Sequence, residues 1–259
     1  MKIKEVVSAL ERFAPLPLQE DWDNAGLQIG LTEAEASGAL LCLDVTESIV
    51  DEAIARHCNL IVSHHPLLFR GLKVISDADY VQRTVMKAIR NDICIVSMHT
   101  NMDNARGGVN FMIAEKLGLA DVGFLSCGSA ADSGSGVTGM FAEGMGAEDF
   151  TSLVKGVFNV ECLQCNELLH RKIRKVAVCG GAGDFLLGKA VEAGADAFIT
   201  GEMHYHVYFG YEQKIQICVT GHYQSEQFTN EIFKSIITEE CPGLPVVMAE
   251  TNTNPIIYV

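Results

Sequence analysis

The stretch CNLIVSHHP, residues 58–66, decides the fold class. Its apolar, β-branched run predicts a buried strand, and the run stops abruptly at His64, His65 and Pro66. Similar runs, each followed by polar residues, precede it in GALLCLDVT (38–46) and follow it in ICIVSMHT (93–100). Because these strands alternate with helical stretches such as 77–92, we expect a parallel sheet flanked by helices.

A second α/β half is predicted after the Gly- and Ser-rich segment 125–139, which is the best candidate for a domain boundary or a long connection. We therefore predict two α/β/α-type halves with mainly parallel sheets. The first half covers residues 1–124 and the second covers 125–242. The tail 243–259 has the pattern of one more strand, which can return to the first half.

Charge and hydropathy exclude several classes of protein. The net charge is −14, with 19 Lys plus Arg against 33 Asp plus Glu, so stable binding to nucleic acid or to an anionic membrane is disfavoured. The chain has no apolar run of the roughly 18 residues that cross a bilayer. Residues 1–13 have the pattern of an amphipathic helix rather than a signal peptide. We expect a cytoplasmic protein.

The nine cysteines are an odd number, and several lie inside apolar runs. This usage is typical of small buried residues in a reducing compartment rather than of a disulfide framework. Cys162 and Cys165 have CxxC spacing, but no second CxxC completes a four-ligand zinc site. The pattern favours packing residues over a metal or redox pair.

Metal-ligand residue types follow three of the predicted strands. His64 and His65 follow one, Asp103 follows another, and the third leads into His222 and Glu226. Ligands bind at the carboxyl ends of strands in such sheets. His222 and Glu226 are four residues apart and share a helix face. In the turn forced by Pro66, each adjacent histidine can serve its own metal ion.

These residues together predict a pair of divalent metal ions that activate water, since a carboxylate such as Asp103 or Glu226 can bridge ions about 3.5–4 Å apart. Taken singly, each signal has an ordinary explanation. A lone histidine beside apolar residues is most often a packed core residue, and HxxxE is most often a solvated ion pair. The Gly-rich loop 178–184 matches neither of the usual nucleotide-binding patterns, so it is either a set of tight turns or an anion cradle.

Seven blocks, in order over nearly the whole chain, resemble the Nif-three-like proteins, also called GTP cyclohydrolase I type 2 homologues. The blocks are WDNAGLQ (22–28), DVT (44–46), LIVSHHPL (60–67), HTNMD (99–103), GGVN (107–110), TGE (200–202) and GHYQSE (221–226). The resemblance implies a two-part α/β fold, a dinuclear site and a ring-like hexamer built as a trimer of dimers. Carried over by position, it implies the ligands His64, His65, Asp103, His222 and Glu226. The large central insertion of longer members is absent from this chain.

We therefore expect a dinuclear metal-dependent hydrolase that activates water between two ions at the interface of the two halves. A GTP cyclohydrolase would direct that water at C8 of guanine, and phosphoesters are further candidate substrates. The ions are Zn²⁺, Fe²⁺, Mn²⁺ or Ni²⁺, which these ligands do not distinguish. Glu202, His204 and Asp23 are the candidates for orienting ligands or transferring protons.

Two alternatives come from other functional classes. The first is a non-catalytic protein that delivers or buffers metal ions. The second is a protein-interaction module, which the family's historical name suggests. A small-molecule substrate, with a nucleotide among the candidates, suits the enzyme interpretation.

Overall fold

The computed structural model describes residues 1–128, 130, 132–257 and 259, and the chain divides into two compact units. The first unit is Met1–Met102 with Thr229–Val259, and the second is Asp103–Phe228. The helices are α1 (Ile3–Phe13), α2 (Glu47–Ala55), α3 (Tyr80–Arg90), α4 (Thr100–Asp103), α5 (Val109–Lys116), α6 (Ala147–Phe158), α7 (Leu187–Glu192), α8 (His222–Glu226) and α9 (Thr229–Glu240). The strands are β1 (Gly26–Ile29), β2 (Ala39–Cys42), β3 (Leu60–Ser63), β4 (Cys94–Ser97), β5 (Ala120–Cys127), β6 (Gly134–Met145), β7 (Gln164–Cys165), β8 (Ile173–Cys179), β9 (Ala197–Thr200), β10 (Gln216–Val219) and β11 (Val246–Met248).

The first unit contains a five-stranded sheet in the order β1-β4-β3-β2-β11. Strands β11, β2, β3 and β4 are parallel, and only β1 at the edge runs antiparallel to its neighbour. Every residue of β2, β3 and β4 is buried, as expected for parallel strands covered on both faces. Leu40, Ile61 and Ile95 lie in the core on one face of this sheet. The predicted strand that begins the 58–66 stretch is therefore β3, at the centre of the sheet.

Helix ends in the first unit follow from local sequence. The Thr46 hydroxyl accepts a hydrogen bond from the Ile49 amide at the start of α2, and the Asp79 carboxylate does the same for α3. The N-terminal amphipathic helix is confirmed as α1, whose buried residues recur three and four positions apart. The predicted helix over 77–92 is shorter than expected, because Asp79 caps it and α3 begins at Tyr80.

The second unit contains a six-stranded sheet in the order β5-β6-β8-β9-β10-β7. Strands β8, β9 and β10 are parallel, whereas β5, β6 and β7 join the sheet through antiparallel pairs. The α/β class is confirmed, and this second sheet is mixed rather than mainly parallel. The reason is the β5–β6 hairpin, since strands joined by a short loop can pair only antiparallel.

The Gly- and Ser-rich segment 125–139 lies in that hairpin and joins β5 to β6, although its residues 129 and 131 are outside the described part of the chain. Small residues are needed here because two backbones approach closely. A Cβ on Gly134 would lie 2.3 Å from the carbonyl oxygen of Ser126. The composition therefore reflects packing within one sheet rather than a connection between domains.

The division into units differs from the predicted boundaries at 124/125 and 242/243. Residues 103–119 belong to the second unit, where α5 contacts β5, β6 and β8. Helix α9 belongs to the first unit, where it packs beside α1, and β11 pairs in parallel with β2. Among the described residues, no helix combines the length and apolar character that crossing a membrane requires.

Candidate metal centre

Three histidines of the first unit lie together where β3 and β4 end. One ring nitrogen from each of His64, His65 and His99 lies within 4.8 Å of the others. The ring centroids are 4.9 Å apart for the adjacent pair, and His99 is 5.2 and 5.4 Å from them. His64 is completely buried, and the other two are partly exposed. Such a group of ring nitrogens at strand ends is a candidate metal site.

The other face of each ring contacts an oxygen atom. Nδ1 of His64 is 2.9 Å from the Met98 carbonyl oxygen, and Nδ1 of His65 is 2.8 Å from Oδ1 of Asp44. Nδ1 of His99 is 2.7 Å from Oδ1 of Asp23. Because these oxygens accept hydrogen bonds, the geometry assigns the ring protons to Nδ1 and leaves the lone pairs on Nε2. This arrangement is the usual one for metal-binding histidines, so these residues fit a divalent transition metal.

Asp23 holds His99 within a small polar network. Its carboxylate also accepts hydrogen bonds from the Thr100 hydroxyl and the Thr100 amide. Burial alone would raise the pKa of Asp23, but the hydrogen bonds from His99 and Thr100 lower that pKa to about 2. The carboxylate therefore stays ionised through the neutral range.

Asp44 is held in the same way for His65. Its second oxygen accepts a hydrogen bond of 2.8 Å from the Thr253 hydroxyl. The tail that carries Thr253 is fixed by two further bonds, from the amides of Glu250 and Thr251 to the carboxylate of Glu52. The C-terminal segment thus takes part in orienting a ring of the histidine cluster.

Two aromatic side chains flank His99. The Trp22 ring centroid is 6.0 Å from that of His99, and the Phe69 centroid is 6.2 Å from it. The two aromatic rings are 5.8 Å from each other. Both are exposed, Trp22 to 60%. They form a solvent-facing apolar wall beside the histidines.

A second donor group lies in the second unit. A carboxylate oxygen of Glu226 lies within 4.8 Å of a carboxylate oxygen of Asp103, and a Glu226 oxygen also lies within 4.8 Å of a ring nitrogen of His222. Nε2 of His222 is 3.1 Å from Oε2 of Glu226, and Nδ1 of the same ring is 3.0 Å from Oε1 of Glu202. Glu226 is only 3% exposed. A buried carboxylate, a second carboxylate and a histidine form a mixed donor set that suits borderline divalent metals.

The negative charges of Asp103 and Glu226 affect the pKa of a neighbouring thiol. Burial raises the pKa of Cys179, and the negative charges of Asp103 and Glu226 raise it further. Cys179 is the last residue of β8. Two acidic side chains therefore face the same strand end in the second unit, where a bound cation would offset their mutual repulsion.

The Gly-rich loop after β8 is a tight turn that fits Glu226. Its amide hydrogens are used by side chains of the same unit: Gly180 donates to Asn110, Gly181 to Ser225 and Gly183 to Thr200. These bonds support the turn interpretation over the anion cradle. Gly181 has a φ of +62°, and a Cβ there would lie 2.3 Å from Oε1 of Glu226. Glycine at this position leaves room for the carboxylate.

His204 contacts Asp184 rather than either donor group. Its Nδ1 forms a short hydrogen bond with the Asp184 carboxylate, which raises the pKa of the imidazole. The ring is otherwise almost fully exposed.

Each predicted site residue thus has a definite place. In the first unit the structure brings His64 and His65 together, and in the second it brings Asp103, His222 and Glu226 together. Among the three candidates for supporting roles, Glu202 contacts His222, whereas Asp23 contacts His99 and His204 contacts Asp184.

Two residues of the first unit were missed as site residues. His99 joins the histidine cluster, and Asp44 holds His65. The signal for both was available, because each follows the end of a parallel strand, as His64 and His65 do. Residues 44 and 99 also belong to the motif blocks quoted above.

A family model described as Duf34/NIF3 (NGG1p interacting factor 3) matches residues 1–255. The chain belongs to the DUF34/NIF3 family. Among curated members of that family, a GTP cyclohydrolase 1 type 2 homolog of Clostridium acetobutylicum is 32% identical over 262 residues, covering 98% of each chain. NIF3-like protein 1 of Drosophila melanogaster is 31% identical, covering 100% of this chain and 89% of its own.

Solved structures agree with this assignment. A Bacillus cereus protein related to NIF3 superposes with a TM-score of 0.91 at 25% identity, covering 100% of this chain and 99% of its own. Reduced HcgD from Methanocaldococcus jannaschii superposes with a TM-score of 0.81 at 25% identity, covering 97% and 98%. The expected fold family is confirmed over the length of the chain.

Proposed function

We propose that this DUF34/NIF3 member is a metal-dependent hydrolase that holds two divalent ions. The first unit supplies the ligands His64 and His65, and the second supplies Asp103, His222 and Glu226. The observation that carries the proposal is the histidine cluster in which every Nδ1 contacts an oxygen acceptor. Packed core histidines need no such common orientation, whereas ligands that present Nε2 do.

Bound divalent ions would supply a water of lowered pKa and a Lewis acid for an electrophilic C=N, C=O or phosphoryl group. The chain's own side chains orient the ligands. Asp44 holds the ring of His65 through Nδ1, and Glu202 does so for His222. Each carboxylate makes the opposite ring nitrogen a stronger donor. Proton transfer by Asp23 or His204 stays a prediction.

The aromatic wall beside His99 suggests the substrate's shape. Trp22 and Phe69 expose apolar ring surface next to the histidines, and such surface favours a planar heteroaromatic ring. A purine nucleotide has such a ring, and the names of the curated relatives point to GTP. In a chain with a net charge of −14, the phosphates would need the bound cations as partners.

The test is metal content beside turnover. Protein purified without added metal, under conditions that protect Fe²⁺, is measured by elemental mass spectrometry and then screened with GTP and phosphoesters. We expect about two ions per chain, with a sharp fall in Glu226→Ala. Glu192→Ala is the matched control, because Glu192 is an exposed carboxylate of the same unit whose ion pair is with Lys189 on the same helix.

Wild-type protein that neither holds nor takes up metal would overturn the proposal. Protein that holds metal but hydrolyses none of the candidate substrates would instead favour metal delivery or buffering. If the His64→Ala and Glu226→Ala variants still bound a partner protein, the interaction-module alternative would be favoured.

We also propose a homohexamer, on the resemblance alone. Size-exclusion chromatography with light scattering is expected to give about six times the chain mass of 28.1 kDa. A monomer or dimer at working concentration would contradict this proposal and leave the metal ligands unaffected.

A further inference from the structure

Strands β7 and β10 of the second unit place two cysteines directly opposite each other. Cys165 is the register partner of Cys218 in this antiparallel pair, and their Sγ atoms are 3.7 Å apart. Opposed residues in antiparallel strands have Cα atoms about 4.5–5.5 Å apart. That spacing falls inside the roughly 4.4–6.8 Å that a disulfide spans. The two sulfurs can therefore bond after side-chain rotation, without a shift of either strand.

The short strand β7 is held in this register by its neighbour Asn166. The Asn166 Oδ1 atom accepts a hydrogen bond of 2.8 Å from the Ile217 amide, and its Nδ2 atom donates one of 2.8 Å to the Ile215 carbonyl. Gln216 adds a third bond of 3.0 Å to the same Oδ1. These contacts lie next to both cysteines in sequence. The close approach of the sulfurs is consequently built into the sheet edge.

Exposure differs between the two sulfurs in the way a dithiol reaction requires. Cys165 is partly exposed, whereas Cys218 is fully buried. The hydrogen bond with Cys218 lowers the pKa of Cys165 despite burial, with help from the positive charge of Lys155. The same hydrogen bond and burial raise the pKa of Cys218 well above its usual value. Cys165 is therefore the attacking thiol and Cys218 the resolving one.

We propose that Cys165 and Cys218 form a reversible disulfide, with a low-molecular-weight disulfide of the glutathione type as oxidant. The Cys165 thiolate attacks one sulfur of the oxidant, which releases one small thiol and leaves a mixed disulfide on Cys165. Cys218 then loses its proton and attacks the Cys165 sulfur, which releases the second small thiol. One small disulfide is reduced to two thiols while the protein dithiol is oxidised to one disulfide. This site does not depend on the metal or on the proposed hydrolase.

The proposed partner of Cys165 lies outside its CxxC motif. Cys162 is exposed and lies three residues before Cys165, yet the sulfur in contact with Cys165 is that of Cys218. Cys162→Ser is therefore the matched control, because it removes the more exposed thiol of the same segment and leaves the proposed pair intact.

The experiment exposes fully reduced, full-length protein to oxidised glutathione, then counts free thiols and maps cross-links by non-reducing peptide mass spectrometry. We expect seven of the nine thiols to remain, with one cross-linked peptide pair joining residues 165 and 218. Dithiothreitol should restore all nine. Cys162→Ser should form the same cross-link, and Cys165→Ala should form none, with circular dichroism melting confirming that each variant is folded.

A cross-link between 162 and 165 would overturn the proposal. So would wild-type protein that carries glutathione on exposed thiols but forms no internal bridge. Because both of these readouts use the unaltered chain, they decide the question even if a variant fails to fold.

Discussion

Replacement of Gly181 by alanine is a sharp test of how Glu226 is held. Gly181 has a φ of +62°, and the added Cβ would lie 2.3 Å from Oε1 of Glu226. The backbone at this position has little freedom to move away. Its carbonyl oxygen accepts from the amides of Gly201 and Glu202, each at 2.9 Å, and its amide donates to Ser225. The carboxylate is therefore the group that must shift.

The expected cost in stability has two parts. A left-handed backbone costs alanine about 1–2 kcal/mol. Displacement of a carboxylate that is 3% exposed loses its contact of 3.1 Å with His222, which we put at about 1–3 kcal/mol. Gly181→Ala is thus expected to lower the free energy of unfolding of the metal-free protein by about 2–5 kcal/mol. Its affinity for Zn²⁺ should fall by more than about tenfold, because a proposed ligand is misplaced.

Two other glycines of the same unit separate these contributions. Gly194 has a φ of +70° with nothing within 4 Å of a built Cβ, so Gly194→Ala measures the backbone cost alone. Gly188 lies in α7 with open space around it, so Gly188→Ala should be neutral or stabilising by up to about 1 kcal/mol. Urea unfolding gives the stabilities, and competition with a chromogenic chelator gives the metal affinities.

If Gly181→Ala is destabilised no more than Gly194→Ala, the carboxylate of Glu226 is not confined by Gly181. A folded Gly181→Ala variant that binds Zn²⁺ as tightly as the wild type would likewise show that Gly181 does not position this carboxylate. Loss of metal affinity in Gly194→Ala would show that backbone strain alone disturbs the site.

Three further predictions concern other parts of the molecule. Asp44→Asn should weaken Zn²⁺ binding by about 10–100-fold in chelator competition, because the ring of His65 is held less firmly, whereas the surface variant Asp51→Asn should match the wild type. Asp196 accepts two backbone amide hydrogen bonds at the start of β8, which lower its pKa against the effect of burial; its alanine variant should lose about 1–3 kcal/mol at pH 7 in urea unfolding. Because the folded-state pKa is lowered, this difference should be present above the unfolded pKa of about 4 and shrink as the pH falls below it, and a constant difference down to pH 3 would contradict it. Trp22 is the chain's single tryptophan and lies beside His99, so Ni²⁺ binding should quench its fluorescence in the wild type. The Trp22→Phe variant should bind Ni²⁺ without that signal. Equal quenching in a Glu226→Ala variant that holds no metal would refute the assignment of the signal to bound Ni²⁺.

The sequence predicted the first sheet well because its information is local there. An uninterrupted apolar run such as residues 60–63 needs burial on both faces, and the polar residues that follow must lie at the sheet's carboxyl edge. For this reason His64 and His65 could be placed at that edge from the sequence alone. The spacing of His222 and Glu226 likewise determined that they share a helix face, and the motif blocks identified the family.

Other features depend on pairing between residues far apart in the chain, which no local pattern contains. The choice of β2 as the partner of β11, the place of α9 beside α1 and the β5–β6 hairpin all come from such pairing. The glycine and serine content of 125–139 suggested a connection. Composition alone could not distinguish a flexible loop from close-packed strands, because glycine is common in both.

The supporting contacts of the site show the same division. That the histidines would need oxygen partners follows from metal chemistry, but only the fold decides that Asp44 holds His65 and that Asp23 holds His99, across separations of 21 and 76 residues. The contact between Cys165 and Cys218 spans 53 residues, and it joins Cys165 to a cysteine outside its CxxC motif. Residue types and short spacings set which chemistry was available, and strand pairing decided which side chains meet, since a strand's neighbours in a sheet are chosen by burial and register over the whole chain.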